Sequence, residues 1–247
     1  MRKIAISLSK GGTGKTTTAI SLAAGLALSG SRALLIDMDT QGHVSRALGT
    51  EAGAGLADVL QEAVKPEEAL IQAREGLWIL AGGRALAGVK RLLSMKQFGG
   101  ELAVSEALQT LEGRFDYVLL DTAPGWDVLS VNALFYAEEI LAPVSLEALT
   151  LQGLLDFSQS LQAVQKYNQK LALRYILPTF LDGRVRKSQE ILEQLQRAYG
   201  ARVCQAIRYN VRLSEAPAYG QTIFEYAPNS PGAEDYRTLT ERIKADG

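Results

Sequence analysis

Residues 9–17 read Ser9-Lys10-Gly11-Gly12-Thr13-Gly14-Lys15-Thr16-Thr17, a glycine-rich run that ends in a lysine and two threonines. The apolar run Ile4–Leu8 precedes it, and the helix-compatible run Thr17–Leu28 follows it. A strand, a glycine loop and a helix in this order let backbone N–H groups and a helix N-terminus surround phosphate oxygens. The sequence therefore predicts a phosphate-binding loop, in which Lys15 reaches the β- and γ-phosphates of a nucleotide and the Thr16 hydroxyl binds Mg²⁺ directly.

The loop departs from the usual pattern, G-x-x-x-x-G-K-[ST], at two positions. Ser9 stands where the pattern has glycine, and a second lysine, Lys10, opens the loop. In these features the loop resembles the deviant Walker A motif of the ParA/MinD family of ATPases, K-G-G-x-G-K-[ST]. The resemblance implies that Lys10 reaches across a dimer interface to the nucleotide of the other subunit. The expected ATP contacts within the loop are Lys10, Gly11, Gly12, Thr13, Gly14, Lys15, Thr16 and Thr17.

Length and composition favour one α/β domain with a sizeable core. The chain has 247 residues, of which 47% are hydrophobic, and a net charge of −1, so no strong overall field draws it to nucleic acid or membrane. A single cysteine, Cys204, excludes an internal disulfide and a multi-cysteine metal site. The sequence shows no signal peptide and no apolar run as long as a membrane span, so we expect a cytoplasmic protein.

Short apolar runs recur along the chain and are separated by helix-length segments. The runs predicted as strands are Ile4–Leu8, Ala33–Asp37, Leu77–Leu80, Tyr117–Asp121, Ile140–Val144, Tyr175–Leu177 and Val203–Ile207. Helical patterns lie between most of them, for example over Leu102–Leu111 and Ser188–Tyr199. The expected fold is α/β, a doubly wound and mostly parallel sheet with helices on both faces. We expect residues 1–247 to form a single P-loop ATPase domain.

Two of the predicted strands lead into carboxylates. The second strand continues into Asp37-Met38-Asp39, and the fourth strand ends at Asp121. Ligands of an open parallel sheet bind beyond the C-terminal ends of its strands, so these side chains are expected beside the phosphate loop. Such carboxylates hold metal-bound water or orient an attacking water, although an Asp-x-Asp pair is also common in ordinary turns. Asp121 is expected in the Mg²⁺ shell, directly or through water.

The resemblance to the ParA/MinD family extends over nearly the whole chain. The family segment D-x-D-P-Q-G corresponds to residues 37–42, which implies that Asp39 is needed for hydrolysis and lies near Mg²⁺ through water. Thr40 stands in place of the family's proline, and Ala123 replaces the first proline of the family's D-x-P-P segment. The segment Asn210–Pro217 is similar to the Soj-type chromosomal ParA subgroup. It implies that Asn210 contacts the adenine base, although an asparagine is also typical of turns.

Basic residues are concentrated towards the C-terminus. Lys and Arg outnumber Asp and Glu in residues 166–247, whereas acidic residues are in excess in residues 1–165. In Soj-type proteins, arginines matching Arg184 and Arg212 bind DNA without sequence preference. The candidate DNA-binding residues are Arg184, Arg186, Lys187, Arg208 and Arg212. The alternative is that they are scattered, solvated charges on a nearly neutral protein.

The resemblance implies a slow, partner-stimulated ATPase that uses ATP and Mg²⁺, with Lys10, Lys15 and Asp39 as catalytic residues. An ATP-bound homodimer would bind nonspecific DNA on the nucleoid and drive chromosome or plasmid partitioning with a ParB-like activator. The short polar tail, residues 236–247, has too small an apolar face for the membrane helix of MinD, so no membrane partner is expected. Two alternatives remain open: a positioner of a non-DNA cargo on the nucleoid, and a nucleotide switch that acts only through protein contacts.

Overall fold

The computed structural model describes residues 1–147 and 150–247. The strands of this part of the chain are β1 (Arg2–Ile6), β2 (Ala33–Asp37), β3 (Leu70–Arg74), β4 (Leu77–Leu80), β5 (Tyr117–Asp121), β6 (Glu139–Ser145) and β7 (Ala172–Thr179). They form one sheet in the order β3-β4-β2-β5-β1-β6-β7. Every neighbouring pair is parallel except β3 and β4. This topology confirms the predicted doubly wound, mostly parallel fold.

Helices cover both faces of the sheet. They are α1 (Lys15–Leu28), α2 (His43–Ala47), α3 (Leu56–Leu60), α4 (Leu86–Met95), α5 (Ala103–Ala107), α6 (Val128–Tyr136), α7 (Thr150–Gln165), α8 (Arg186–Tyr199), α9 (Arg212–Glu215), α10 (Ile223–Tyr226) and α11 (Pro231–Ala245). Short 3₁₀ turns cover Pro66–Ala69, Gly100–Leu102, Gln109–Leu111, Gly200–Arg202 and Ala216–Tyr219. No helix of the described residues is both long enough and apolar enough to cross a membrane.

Alternate residues of each central strand enter different cores. In β1, Ile4 and Ile6 pack with α1, α2, α10 and α11, whereas Ala5 faces the core formed with helices α3 to α8. All three side chains are fully buried. Because both faces of the sheet are covered, the middle residues of the central strands are apolar in succession and lack the alternation of a half-exposed strand, and charged residues stand at the strand ends.

The structure corrects three details of the sequence-based expectation. Val203–Ile207 is not a strand: the Cys204 and Ile207 N–H groups donate to carbonyl oxygens of β7 at 2.8 Å each, but no continuous ladder forms. The edge strand β3 was not predicted, because its residues are only partly buried and pair antiparallel with β4. The segment Leu102–Leu111 is interrupted, with α5 flanked by two 3₁₀ turns.

Candidate nucleotide-binding site

The predicted phosphate loop connects β1 to α1 at the C-terminal edge of the sheet. Gly12 and Gly14 have φ angles of 70° and 83°, in the left-handed region that glycine adopts without steric cost. Lys15 opens α1 and is buried, and its Nζ donates to the carbonyl oxygen of Lys10 at 2.8 Å. Burial lowers the pKa of Lys15, while the carboxylates of Asp121 and Asp39 oppose that shift. The loop therefore holds a buried ammonium group that is bound to a main-chain carbonyl oxygen at the start of the loop.

The second lysine of the loop lies in a different environment. The side chain of Lys10 is 40% exposed, and its Nζ lies 3.1 Å from Glu147 Oε2 and 3.4 Å from Ser145 Oγ. Ser145 is the last residue of β6, and Glu147 follows it. In the sheet, β6 lies next to β1 on the side away from β5. One lysine of the loop thus faces the interior of the site and the other faces the surface.

The carboxylates of β2 and β5 meet beside the loop. In the sheet register, Asp37 is paired with Asp121, and Asp121 is paired with Ile6 at the end of β1. Asp121 is 1% exposed, and within the described residues its Oδ1 has no hydrogen-bond partner. Burial, followed by the nearby charge of Asp37, raises the pKa of Asp121 to about 8, and a hydrogen bond from Thr16 acts in the opposite direction. A buried carboxylate oxygen without a partner is suited to a cation.

Asp37 has a positioning role that the sequence did not reveal. Its Oδ1 accepts the Asp39 N–H at 2.9 Å, and its Oδ2 accepts the Val44 N–H at 3.1 Å, so one buried carboxylate holds the turn that carries Asp39. Burial raises the pKa of Asp37 to about 6. Asp39 itself is partly exposed and accepts the Gln41 N–H through Oδ1 at 3.0 Å. The position of Asp37 inside a buried apolar strand was the available signal for this role.

The glycine pair after β4 packs against the same turn. A Cβ atom added to Gly82 would lie 2.6 Å from the carbonyl oxygen of Asp37 and 2.8 Å from its Cγ. The Gly83 N–H donates to the carbonyl oxygen of Asp39 at 3.0 Å. Gly82 is therefore required for close packing and does more than allow the chain to turn.

Two adjoining pockets follow the phosphate loop. A cleft of about 210 Å³ is lined by residues 11–17 together with Asp39, Thr122 and Pro124. A second pocket of about 160 Å³ shares Gly14 and Thr17 with the first. Its walls include Thr179, Phe180, Tyr209, Asn210, Leu213 and Tyr236. Together they form an elongated site, with a polar end at the loop and an end lined by aromatic and apolar side chains at Asn210.

The residues around the loop fit a magnesium ion bound with a nucleotide. Among the described residues, no group of three or more His, Cys, Asp or Glu side chains could itself hold a metal. Mg²⁺ is usually held by one or two protein oxygens, water and substrate phosphates. Thr16 and Asp39 both line the cleft. Asp121 adds a buried oxygen that, within the described residues, lacks a hydrogen-bond partner. This is a hard-oxygen donor set, as Mg²⁺ prefers.

The predicted DNA-binding residues do not share one environment. Arg184, Arg186 and Lys187 are all exposed in the loop before α8 and in its first turn. Arg212 is about half exposed and pairs with Glu215 at 2.9 Å. Arg184 and Arg186 are likewise paired, with Asp182 and Glu190 at the surface. Arg208 differs, because one of its two carboxylate partners, Asp235, is buried, while the other, Glu234, is exposed. Three solvent-exposed cations therefore lie within four residues at the start of α8, whereas Arg208 is held against α11 by an ion pair with a buried carboxylate.

The fold, the loop and the adjoining carboxylates define a P-loop nucleotide-binding protein. A family comparison matches residues 1–173 to a family described as an AAA domain. The chain is 41% identical, over 99% of its length and 96% of the relative, to the chromosome-partitioning ATPase Soj of Thermus thermophilus. It is 34% identical to the sporulation initiation inhibitor protein Soj of Bacillus subtilis, over 99% of this chain and 98% of that one. The chain belongs to the ParA/Soj family of partitioning ATPases.

A solved structure supports the same fold assignment. The chain is similar to a structure described as cobyrinic acid a,c-diamide synthase from Mycobacterium smegmatis with bound ADP and magnesium. The TM-score is 0.85 and the identity 31%, over 99% of this chain and 94% of that one. The comparisons thus confirm the family resemblance that the loop and the Asn210–Pro217 segment indicated.

Proposed function

We propose that this chain is an ATPase that binds Mg·ATP, dimerises with ATP, binds nonspecific DNA and acts in chromosome or plasmid partitioning with a ParB-like activator. The observation that carries the proposal is the contrast between the two loop lysines. Lys15 is buried beside the cleft, whereas Lys10 is at the surface, held by Glu147. A phosphate loop that serves only its own nucleotide needs Lys15. Lys10 is therefore available to another copy of the chain.

ATP would occupy the two adjoining pockets, with its phosphates at the loop and its base beside Asn210. Lys15 and the backbone N–H groups of residues 11–17 stabilise negative charge on the transferring phosphoryl group. The Thr16 hydroxyl would hold Mg²⁺ directly, and Asp121 and Asp39 would act on it through water. The metal supplies charge neutralisation at the phosphates.

Asp39 is proposed to orient the attacking water. Its carboxylate lines the cleft, and Asp37 fixes its backbone by accepting its N–H. Its Oδ1 accepts the N–H of Gln41, which holds the carboxylate in a defined orientation. Such an arrangement suits a group that must hold a water molecule in line with the γ-phosphate.

Dimerisation would place Lys10 against the nucleotide of a second copy. In the free chain its ammonium group is paired with an exposed glutamate, and an exposed ion pair contributes only about 0–1 kcal/mol. A triphosphate offered by the other subunit carries more negative charge than one carboxylate. ATP can therefore draw Lys10 away from Glu147 and join the two subunits.

DNA binding would use the exposed cations near α8 and Arg212. Each contact with a DNA phosphate releases counterions and carries no sequence information, so binding is nonspecific and depends on salt. A dimer doubles the number of contacts, which links DNA binding to the ATP state. We propose that the chain, acting as one domain over residues 1–247, works in this way on the nucleoid in the cytoplasm.

The test is a DNA titration by fluorescence on two unrelated duplexes, with ATP, with ADP and without nucleotide. The proposal predicts binding to both duplexes with ATP and Mg²⁺ only, and phosphate release that rises when a ParB-type protein is added. Hydrolysis without DNA binding in any state would favour the protein-only switch. DNA binding with stimulation by a different cargo-bound protein, and none by ParB-type proteins, would favour the positioner of another cargo.

A further inference from the structure

A buried aspartate on α11 holds the segment that carries Asn210. The side chain of Asp235 is 1% exposed. Its Oδ2 accepts the backbone N–H of Arg208 at 2.8 Å, and its Oδ1 accepts Arg208 Nη2 at 2.7 Å and Nε at 3.0 Å. One carboxylate therefore binds both the main chain and the side chain of Arg208, two residues before the proposed base contact.

The opposite side of this segment is fixed by the turn after β7. The Leu181 N–H donates to the carbonyl oxygen of Ile207 at 3.0 Å, and the Tyr209 N–H donates to that of Leu181 at 2.9 Å. Phe180, in the same turn, has a φ of 58° and lines the pocket of Asn210. A left-handed conformation in a bulky residue is strained, and it persists only where the surroundings determine it.

The first turns of α11 also contact the helix that follows the phosphate loop. The Tyr236 hydroxyl lies 3.0 Å from Thr18 Oγ1, and both side chains are buried. One turn earlier, a Cβ atom added to Gly232 would lie 3.2 Å from Asn210 Nδ2 and 2.9 Å from Leu213 Cγ. The start of α11 is thus in contact with the phosphate end of the site through α1 and with the base end through residues 208–213.

We propose that Asp235 is a positioning residue for base recognition, which sets Asn210 at a fixed distance from the phosphate loop. The inference rests on the proposed binding of ATP in the two adjoining pockets. It also gives Arg208 a different role from the DNA contact expected from sequence. Its guanidinium group serves as the partner through which Asp235 fixes the pocket wall.

The consequence is a selective loss of affinity for the base, with phosphate binding kept. Without the carboxylate, the main chain of Arg208 loses its bond to α11, and the guanidinium group keeps only Glu234 and the carbonyl oxygen of Pro231, while the loop, Lys15 and Thr16 are unchanged. The site should still bind a triphosphate group, but the additional affinity due to the adenine base should fall. Glu234 provides a matched control, because it binds the same guanidinium group at 2.6 Å yet is 69% exposed and makes no bond to the Arg208 main chain.

The experiment is calorimetric titration of wild type, Asp235→Asn and Glu234→Gln with ATP, GTP and inorganic tripolyphosphate, each with Mg²⁺. We expect Asp235→Asn to bind ATP about tenfold more weakly, to lose most of its preference for ATP over GTP, and to bind tripolyphosphate within about twofold of wild type. Glu234→Gln should bind all three ligands within about twofold of wild type.

Two results would overturn the inference. One is ATP affinity and ATP preference in Asp235→Asn equal to those of wild type; the other is an equal loss of affinity for ATP and tripolyphosphate, which indicates general disruption. If Asp235→Asn does not fold, Arg208→Lys replaces it. The lysine loses the forked contact with Asp235 but keeps the main-chain bond, so a smaller loss is expected, again for ATP and not for tripolyphosphate. A wild-type protein that binds ATP no better than tripolyphosphate would instead overturn the proposed ATP site itself.

Discussion

At the scale of single residues, burial separates the roles of chemically identical groups. Lys15 and Lys10 are both loop lysines, but only Lys15 is removed from solvent. Asp37 and Asp39 are two residues apart, yet Asp37 is fully buried and occupied by two backbone N–H groups, whereas Asp39 lines the cleft. The sequence alone presents each pair as near-equivalents, and the structure assigns the positioning role to one member and leaves the other available to a ligand.

Replacing Lys15 with alanine is expected to lower ATP affinity by about 100-fold or more. The change removes a charge that faces the phosphates from within a desolvated loop, where charge-assisted hydrogen bonds are strong. Calorimetric titration with Mg·ATP measures the effect. Lys10→Ala is the control, because its exposed ammonium group does not contact the chain's own cleft, and its affinity should stay within about fivefold of wild type. Wild-type affinity in Lys15→Ala would contradict the assignment of the phosphate loop.

Replacing Asp39 with alanine is expected to preserve ATP binding and to lower the hydrolysis rate by about 100-fold or more. The carboxylate is proposed to orient water in the transition state, and removing such a group typically costs this much. Phosphate release under saturating ATP measures the rate, and the calorimetric titration confirms that the site is filled. Turnover at the wild-type rate would remove Asp39 from catalysis and direct attention to Asp121.

At the scale of elements, the buried strands were predictable and the edge strand β3 was not. Ala33–Asp37, Leu77–Leu80 and Tyr117–Asp121 have the predicted bounds, because a strand covered on both faces reads as a continuous apolar run up to its last residue. Leu70–Arg74 includes polar residues and is only partly buried. It forms a strand because it pairs with β4, and its own hydrophobic pattern does not indicate one. The opposite error occurs at Val203–Ile207, which was predicted as a strand and is not one. A mostly apolar segment can be buried without forming a continuous hydrogen-bond ladder with a neighbouring strand.

The site was predictable where one residue type at one spacing carries the chemistry, as in the loop from Lys10 to Thr17. It was not predictable where a role depends on contacts between distant segments. Arg208 and Asp235 are 27 residues apart, and their ion pair appears only when α11 packs beside the extended segment after α8. The close approach of Gly82 to Asp37 is likewise a tertiary contact, which no local sequence pattern marks.

Replacing Gly82 with alanine is expected to destabilise the protein by about 1–3 kcal/mol and to lower ATPase activity. The new methyl group would overlap the main chain of Asp37, and overpacking against backbone forces a shift of the turn that carries Asp39. Gly88→Ala on α4 is the matched control, because a Cβ there meets nothing within 4 Å and alanine favours a helix. Urea denaturation and phosphate release measure both effects. Equal stability of Gly82→Ala and wild type would contradict the packing argument.

At the scale of the whole molecule, the proposed ATP-dependent dimer links the nucleotide state to a DNA-binding surface. Of the exposed cations, Arg184 lies just before α8, Arg186 and Lys187 lie in its first turn, and Arg212 opens α9 just after Asn210. The segment of Arg212 therefore adjoins the pocket proposed for the base. The overall net charge of −1 gives no attraction to DNA by itself, so binding must come from this local surface and from its doubling in a dimer.

Replacing Arg212 with glutamate is expected to weaken DNA binding with ATP by about tenfold, and to reduce the salt dependence by about one unit per lost contact. Arg197→Glu is the control for a general change in charge, since that arginine is also exposed and paired with a glutamate on α8 but is not among the proposed contacts. Fluorescence titration at several salt concentrations compares the two. Equal weakening in both variants, or none in Arg212→Glu, would place the DNA surface elsewhere.

We propose above all that ATP joins two copies of the chain through Lys10, and the molecular mass of the protein in solution tests this most directly. Light scattering of the Asp39→Ala protein, which should retain its ATP, is measured with ATP, with ADP and without nucleotide, alongside Asp39→Ala combined with Lys10→Ala. We expect twice the 26.7 kDa chain mass with ATP only, and the single-chain mass in every state once Lys10 is replaced. A single-chain mass with ATP bound, or an ATP dimer that persists without Lys10, would contradict it.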